Sequence, residues 1–201
     1  MKSCELNRIM QKLSFPLNYI KKGSQAYSII EHKSGAKIMK GFCLSSSINK
    51  DCFFLNYFVQ PLYIRNQDID LSLGDRLGGH LNLSDIDRTK EIIDSFKDFE
   101  QLTSFSNYIS FFESHPYYGS DDNRYICLAF FYYLLSDYKK SRHFFNKIID
   151  FENHQNPEWF EEDVKTAKEF VGYINSCSFD KGLNKLLQWQ EETLKSLKLD
   201  I

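Results

Sequence analysis

The densest concentration of glycines and ionisable side chains in the chain is Leu73-Gly74-Asp75-Arg76-Leu77-Gly78-Gly79-His80. A carboxylate, a guanidinium and an imidazole so close together could bind an anion or pass a proton, and the loop after a strand is a common place for such groups. Asp75, Arg76 and His80 are therefore the first binding candidates. The segment lacks the G-K-[ST] ending of a P-loop and the G-x-G-x-x-G spacing of a dinucleotide turn, so neither phosphate cradle is indicated. It also suits a glycine-permitted turn or bulge, with Asp75 and Arg76 paired or solvated. Asp68, Asp70 and Ser72 alternate with Ile69, Leu71 and Leu73, which is the period of a strand, and Gly74 falls one place late for a calcium loop.

Other reactive residues form no constellation. His32, His80, His115, His143 and His154 include no i, i+4 pair around a Glu and no zinc spacing, so no metal or other cofactor is expected. No G-x-S-x-G elbow occurs, and Ser45-Ser46-Ser47 suits a turn between strands. Cys4, Cys43, Cys52, Cys127 and Cys177 are odd in number and scattered, as thiols of a reducing compartment are. A nucleophile assembled in space from Cys43 or Cys52 with His80 is one arrangement; buried strand cysteine is the commoner one. A non-catalytic role is the expectation.

Charge is divided along the chain. The net charge is −2, but residues 1–50 carry nine Lys/Arg against Glu5 and Glu31, and residues 51–201 carry sixteen against twenty-five Asp/Glu. Lys21, Lys22, Lys33, Lys37 and Lys40 are the phosphate-binding candidates of a nucleic-acid or nucleotide-binding reading, with Tyr27, Phe54 or Phe58 for stacking. Internal complementarity between acidic and basic regions explains the same asymmetry.

The elements that must position these groups follow from periodicity. At 201 residues the chain is long enough for a sizeable core, and 18 Phe and 12 Tyr mean that rings fill it. Leu6, Ile9, Met10 and Leu13 predict a helix closed by Pro16. Ala26–Glu31 and Ala36–Leu44 flank the polar His32-Lys33-Ser34-Gly35, as in a β-hairpin. Cys52–Val59 reads as a third strand burying Phe53, Leu55, Tyr57 and Val59, and Ile69–Leu73 as a fourth. From Ser84 the period becomes helical: Ser84 with Asp87 suggests a capping box, and Ile92, Ile93, Phe96 and Phe99 a stripe. Phe105 to Phe112, Tyr125 to Ile148, Phe160 to Ile174 and Leu183 to Leu197 continue it, with a loop at Pro116–Asp122 and a helix start at Pro157. The fold class is therefore α+β, with an N-terminal helix and an antiparallel sheet of about four strands over 1–83 and an all-helical, repeat-like half over 84–201, probed most directly by burial of Phe96, Phe112, Tyr132, Phe145 and Val171. No apolar run matches a signal h-region or a membrane span, so a cytoplasmic location without membrane attachment is expected.

Tyr125, Leu128, Ala129, Tyr132, Ser141 and Phe145 stand at the spacing of the W-x2-L-G-x2-Y and A-x3-F positions of the tetratricopeptide repeat. Residues 125–151 thus resemble one unit of that family. A shift of 41 residues superposes Tyr132 on Tyr173, Tyr138 on Phe179, Ser141 on Gly182 and Phe145 on Leu186, extending the resemblance to 166–190. It implies helical hairpins joined at Ser136-Asp137-Tyr138, close packing at Ala129 and Ser141, and a role in protein contacts. Residues 5–80, with Tyr19-Ile20-Lys21-Lys22-Gly23 between an amphipathic helix and an aromatic meander, resemble a group of uncharacterised bacterial proteins with an N-terminal α+β domain. The expected function is a protein-interaction module, of inhibitor or immunity type, with Tyr117 and Tyr118 as candidate anchors; the alternative is the nucleic-acid reading above.

Overall fold

The computed structural model describes residues 2–69, 71, 73–96, 99, 101–114, 121–151 and 160–199. Among these, helix α1 (Ser3–Lys12) precedes strands β1 (Ile20–Lys22), β2 (Gln25–Glu31), β3 (Lys37–Ser46), β4 (Cys52–Pro61) and β5 (Asp75–Asn82). Helices α2 (Ile86–Ser95), α3 (Phe105–Ser114), α4 (Asp121–Leu134), α5 (Tyr138–Phe151), α6 (Glu161–Asn175) and α7 (Phe179–Ser196) follow. The fold is α+β, and the strands run in the order β1-β2-β3-β4-β5 as an antiparallel meander. The chain divides into two compact units.

The first unit comprises Met1–Ile30, Ile38–Gln60 and Ile69–Ser104. Helix α1 buries Leu6, Ile9 and Met10, and Glu5 Oε2 accepts the Lys2 backbone N–H at 2.8 Å, satisfying a donor ahead of its first turn. It stops at Lys12, earlier than Pro16, because Leu13 is already extended and sinks its side chain into the core. Strand β4 is buried on both faces: Asn56, Phe58 and Gln60 are covered as well as Phe53, Leu55, Tyr57 and Val59. That is the pattern of a strand with neighbours on both edges and packing on both sides.

Two expectations about the sheet need correction. The fourth paired strand after the hairpin is not Ile69–Leu73, whose described residues are outside any strand; it is Asp75–Asn82, the segment expected to be a loop. Gly74 makes this possible, since a Cβ there would lie 2.0 Å from Tyr57 O, and only a residue without one lets the chain turn in against β4. The short strand β1 is additional, and Ser45 and Ser46 end β3 rather than making a turn. Helix α2 also starts later than a Ser84 cap would place it: Asp85 is its N-cap residue, and the Asp85 carboxylate accepts the Asn82 backbone N–H at 2.9 Å. That backbone hydrogen bond is the main influence holding the Asp85 carboxyl below its usual range.

The second unit comprises Glu31–Lys37, Pro61–Asp68 and Phe105–Ile201. Helices α4 and α5 are joined by Leu135-Ser136-Asp137, and α6 and α7 by Ser176-Cys177-Ser178. The two turns have one geometry. Ser136 and Cys177 both take positive φ, 62° and 53°. Asp137 N–H returns to Tyr132 O and Ser178 N–H to Tyr173 O, at 2.9 and 2.8 Å, the Schellman arrangement that ties off the end of a helix. The same ending closes α7, where Lys198 has φ of 54° and Leu199 N–H returns to Leu194 O at 2.9 Å.

Inside the hairpins the bulk is distributed differently. Ser141 is fully buried and its Oγ donates to Ala129 O at 2.8 Å. At the corresponding pair, Phe170 stands for Ala129 and Gly182 for Ser141, but a Cβ on Gly182 would meet Tyr133 of the first hairpin, 2.2 Å from its hydroxyl oxygen, before Phe170 Cε1 at 3.1 Å. Small meets small in the first hairpin; in the second, the missing side chain makes room chiefly for a tyrosine of the first. Phe112, Tyr132 and Phe145 are buried as the periodicity implied, whereas Val171 and, in the first unit, Phe96 are only half-buried. Val164, Ala167 and Ile174 keep their places on the buried face, and Phe170, three residues after Ala167 and four before Ile174, fills it in place of Val171. Ser141→Leu is expected to overpack the first hairpin and cost about 1–3 kcal/mol. An unchanged urea midpoint would contradict this packing.

Candidate functional site

Gly78 and Gly79, at φ of 72° and 69°, insert a bulge into β5, so the pairing steps from Leu55↔Leu77 directly to Phe53↔Leu81. This turns His80 onto the side chain opposite. The His80 ring lies 4.6 Å from the Phe54 ring, and Arg76 Cζ lies 3.5 Å from the same centroid. Asp75 Oδ1 accepts the Arg76 backbone N–H at 2.6 Å. The structure thus gathers Arg76 and His80 around Phe54 on an exposed strand while Asp75 closes a local contact. A guanidinium stacked on a ring is an adhesive arrangement, not an acid–base pair.

The cysteines do not complete a nucleophile with His80. Cys52 Sγ donates to Asn82 Oδ1 at 3.3 Å, and burial pushes the Cys43 thiol above its ordinary pKa, opposite to what thiolate attack needs.

Of the five candidate phosphate-binding lysines, three are engaged within the fold. Lys21 Nζ donates to Leu13 O at 2.5 Å and Gln11 O at 3.2 Å, taking up carbonyls at the end of α1. Lys40 is buried, donates to Phe99 O at 2.7 Å and lies over the Phe99 ring; a hollow of about 500 Å³ beside it is lined by Pro16, Asn18, Ile30 and Thr103. Lys37 pairs with Glu31 at 3.7 Å. Lys22 and Lys33 are exposed. Tyr117 and Tyr118 lie outside the described residues.

One concave site in the second unit was not visible as a motif. The β2–β3 turn, His32-Lys33-Ser34, meets Ser136 of the α4–α5 turn and the first turn of α7 around a cleft of about 280 Å³. Its floor includes Tyr133, whose hydroxyl donates to Phe179 O at 2.9 Å, and its wall the Tyr138 and Phe179 rings, stacked at 3.8 Å. Burial raises the Tyr133 pKa, so that phenol stays protonated. Burial and the neighbouring Lys33 charge lower that of His32. His32 Nδ1 meets Ser34 Oγ at 2.8 Å and accepts the Ser34 N–H at 3.3 Å, which leaves the ring proton on Nε2. Lys33 and Asp180 edge the opening. A neutral imidazole spent on its own turn, a protonated tyrosine and opposite charges at the rim can hold a polar group; they provide no activated nucleophile. The signal for this cleft was the pair of turns 41 residues apart, joined by a hairpin whose long-range placement no local pattern encodes.

Among the described residues no group of three or more His, Cys, Asp or Glu is arranged to hold a metal, and no helix is long and apolar enough to cross a membrane. No protein-family model matches the chain, and neither the curated proteins nor the solved structures contain a match to it.

Proposed function

We propose that this chain is a non-catalytic protein-interaction module, of the kind that serves as an inhibitor or immunity partner, presenting tetratricopeptide-like helical hairpins. The observation that carries the reading is the repetition of an interhelical turn, with a positive-φ residue at the same place and an equivalent closing hydrogen bond, 41 residues apart. Repeated hairpins expose side chains at regular intervals and so make binding surfaces. The engagement of Lys21, Lys37 and Lys40 leaves Lys22 and Lys33 as the exposed members of the candidate phosphate-binding set for the alternative, nucleic-acid reading.

Filter binding of labelled single- and double-stranded RNA and DNA across a salt series, with co-purification from native cytosol, tests the proposal. The expected result is no retention at physiological salt and a protein partner at constant ratio through successive columns. Tight retention that weakens in Lys22→Ala/Lys33→Ala, with a salt slope reduced by about one for each lost contact, would overturn it in favour of nucleic acid.

A further inference from the structure

Outside the N-terminal third, basic side chains gather on one helix, α5. Helix α5 carries Lys139, Lys140, Arg142 and Lys147 against Asp150 alone, with His143 besides. Lys139, Lys140, Arg142 and His143 are exposed and Lys147 half-exposed. Among the described residues none of these four Lys and Arg side chains makes an ion pair. Two carboxylates lie near Lys140 without pairing with it: Glu113 accepts the Tyr132 hydroxyl at 2.5 Å and Asp137 Oδ1 accepts the Lys140 backbone N–H at 3.1 Å, while the charge of each favours the ammonium form of Lys140.

These cations are seated on a row of rings. Tyr125 and Phe144 have centroids 5.9 Å apart, and Phe144 and Tyr132 are parallel at 5.7 Å. Lys147 Nζ sits 4.7 Å from the Tyr125 centroid and Lys140 Nζ 4.6 Å from that of Tyr132; Lys140 also donates to the Tyr132 hydroxyl at 3.2 Å. Long flexible side chains are thereby held in place, which reduces the entropy lost when each grips an anion. Lys140 and Lys147 are two turns apart, about 10 Å along one face, with His143 and Phe144 between them.

We infer that this face of α5 docks an acidic segment of a partner protein, its carboxylates reaching Lys140 and Lys147. The inference rests on the interaction-module reading and names the chemistry of the partner. Carboxylates fit better than nucleotides because stacking needs an open ring face, whereas here Tyr132 and Phe144 face each other and the lysine ammonium groups lie over Tyr125 and Tyr132.

The test is fluorescence anisotropy of the full chain with fluorescein-labelled octaglutamate, beside a labelled oligouridylate of matched charge, over a salt series. Octaglutamate is expected to bind at low salt and to release as salt rises. Lys140→Glu/Lys147→Glu should weaken binding about tenfold or more, while Lys90→Glu/Lys165→Glu, reversing lysines elsewhere, should change it less than about twofold. The milder Lys140→Gln/Lys147→Gln, checked for an unaltered melting curve, covers the case in which reversal disturbs Tyr132. No octaglutamate binding, equal losses in both reversed pairs, or tighter oligouridylate binding abolished by the same α5 changes would overturn the inference. If it fails while a protein partner still co-purifies, the docking face is wrong and the interaction reading stands; RNA retention that depends on Lys22 and Lys33 instead removes the interaction reading itself.

Discussion

Gly74→Ala is expected to destabilise the protein by about 3 kcal/mol or more, a change far outside the range of ordinary surface substitutions. The added Cβ would stand 2.0 Å from Tyr57 O and 2.9 Å from Phe58 Cα. Both obstacles are main chain of β4, a strand buried on both faces, so neither can swing aside as a side-chain end would. Relief requires the start of β5 to move away, breaking the Tyr57↔Asp75 and Asn56↔Arg76 pairing. In a chain of this size the thermal midpoint should fall by roughly 6–12 °C. Gly172→Ala in α6 is the matched control: nothing lies within 4 Å of its Cβ, and replacing glycine in a helix interior should raise stability by about 0.5–1 kcal/mol. Similar midpoints for the two variants would refute the close approach.

Phe170→Ala should be the most damaging single truncation in the helical unit, costing about 3–5 kcal/mol. The ring is fully buried, and its centroid lies 5.0 Å from Phe130, 5.2 Å from Tyr133, 5.5 Å from Phe145 and 5.5 Å from Tyr173. Removing it leaves a void bounded by other rings, which are stiff and fill space poorly by rotation. Because Tyr133 is one of those rings, the cleft at the turns should loosen too, giving faster hydrogen exchange at Ser136–Asp137. A loss below about 1 kcal/mol, or exchange unchanged at the turn, would show that Phe170 is not the hub.

The periodicity of residues such as Ile9, Leu128 and Phe145 made the helices, and the strands around Phe53 and Phe42, legible, because a solvent boundary imposes its period on any element lying along it. The strand at Asp75–Asn82 was illegible for a physical reason. It lies at the sheet's edge, with only Leu81 buried among its residues, so little apolar alternation was required, and Gly78 and Gly79 interrupt what there was. Lys40 misled in the opposite sense. A lysine in sequence signals solvent, yet here its charge meets a carbonyl oxygen that lies 59 residues away. The candidate site was legible only in part, since Arg76 and His80 do converge, but on the Phe54 ring of the neighbouring strand. The cleft around His32 depends on segments about a hundred residues apart, and the α5 face became distinct only once the ring contacts of Lys140 and Lys147 were in view.

The missing side chain at Gly182 limits how independently the two hairpins can vary. Ser141 meets Ala129 inside its own hairpin, whereas the space of a Gly182 Cβ is taken by the Tyr133 hydroxyl of the first hairpin, 2.2 Å away, and only then by the Phe170 ring. A side chain can be added at 182 only if the one at 133 shrinks with it. In a library randomised at both positions and selected for retained folding, residue size at 182 should vary inversely with that at 133. The interiors of the two hairpins are thus rewritten together or not at all.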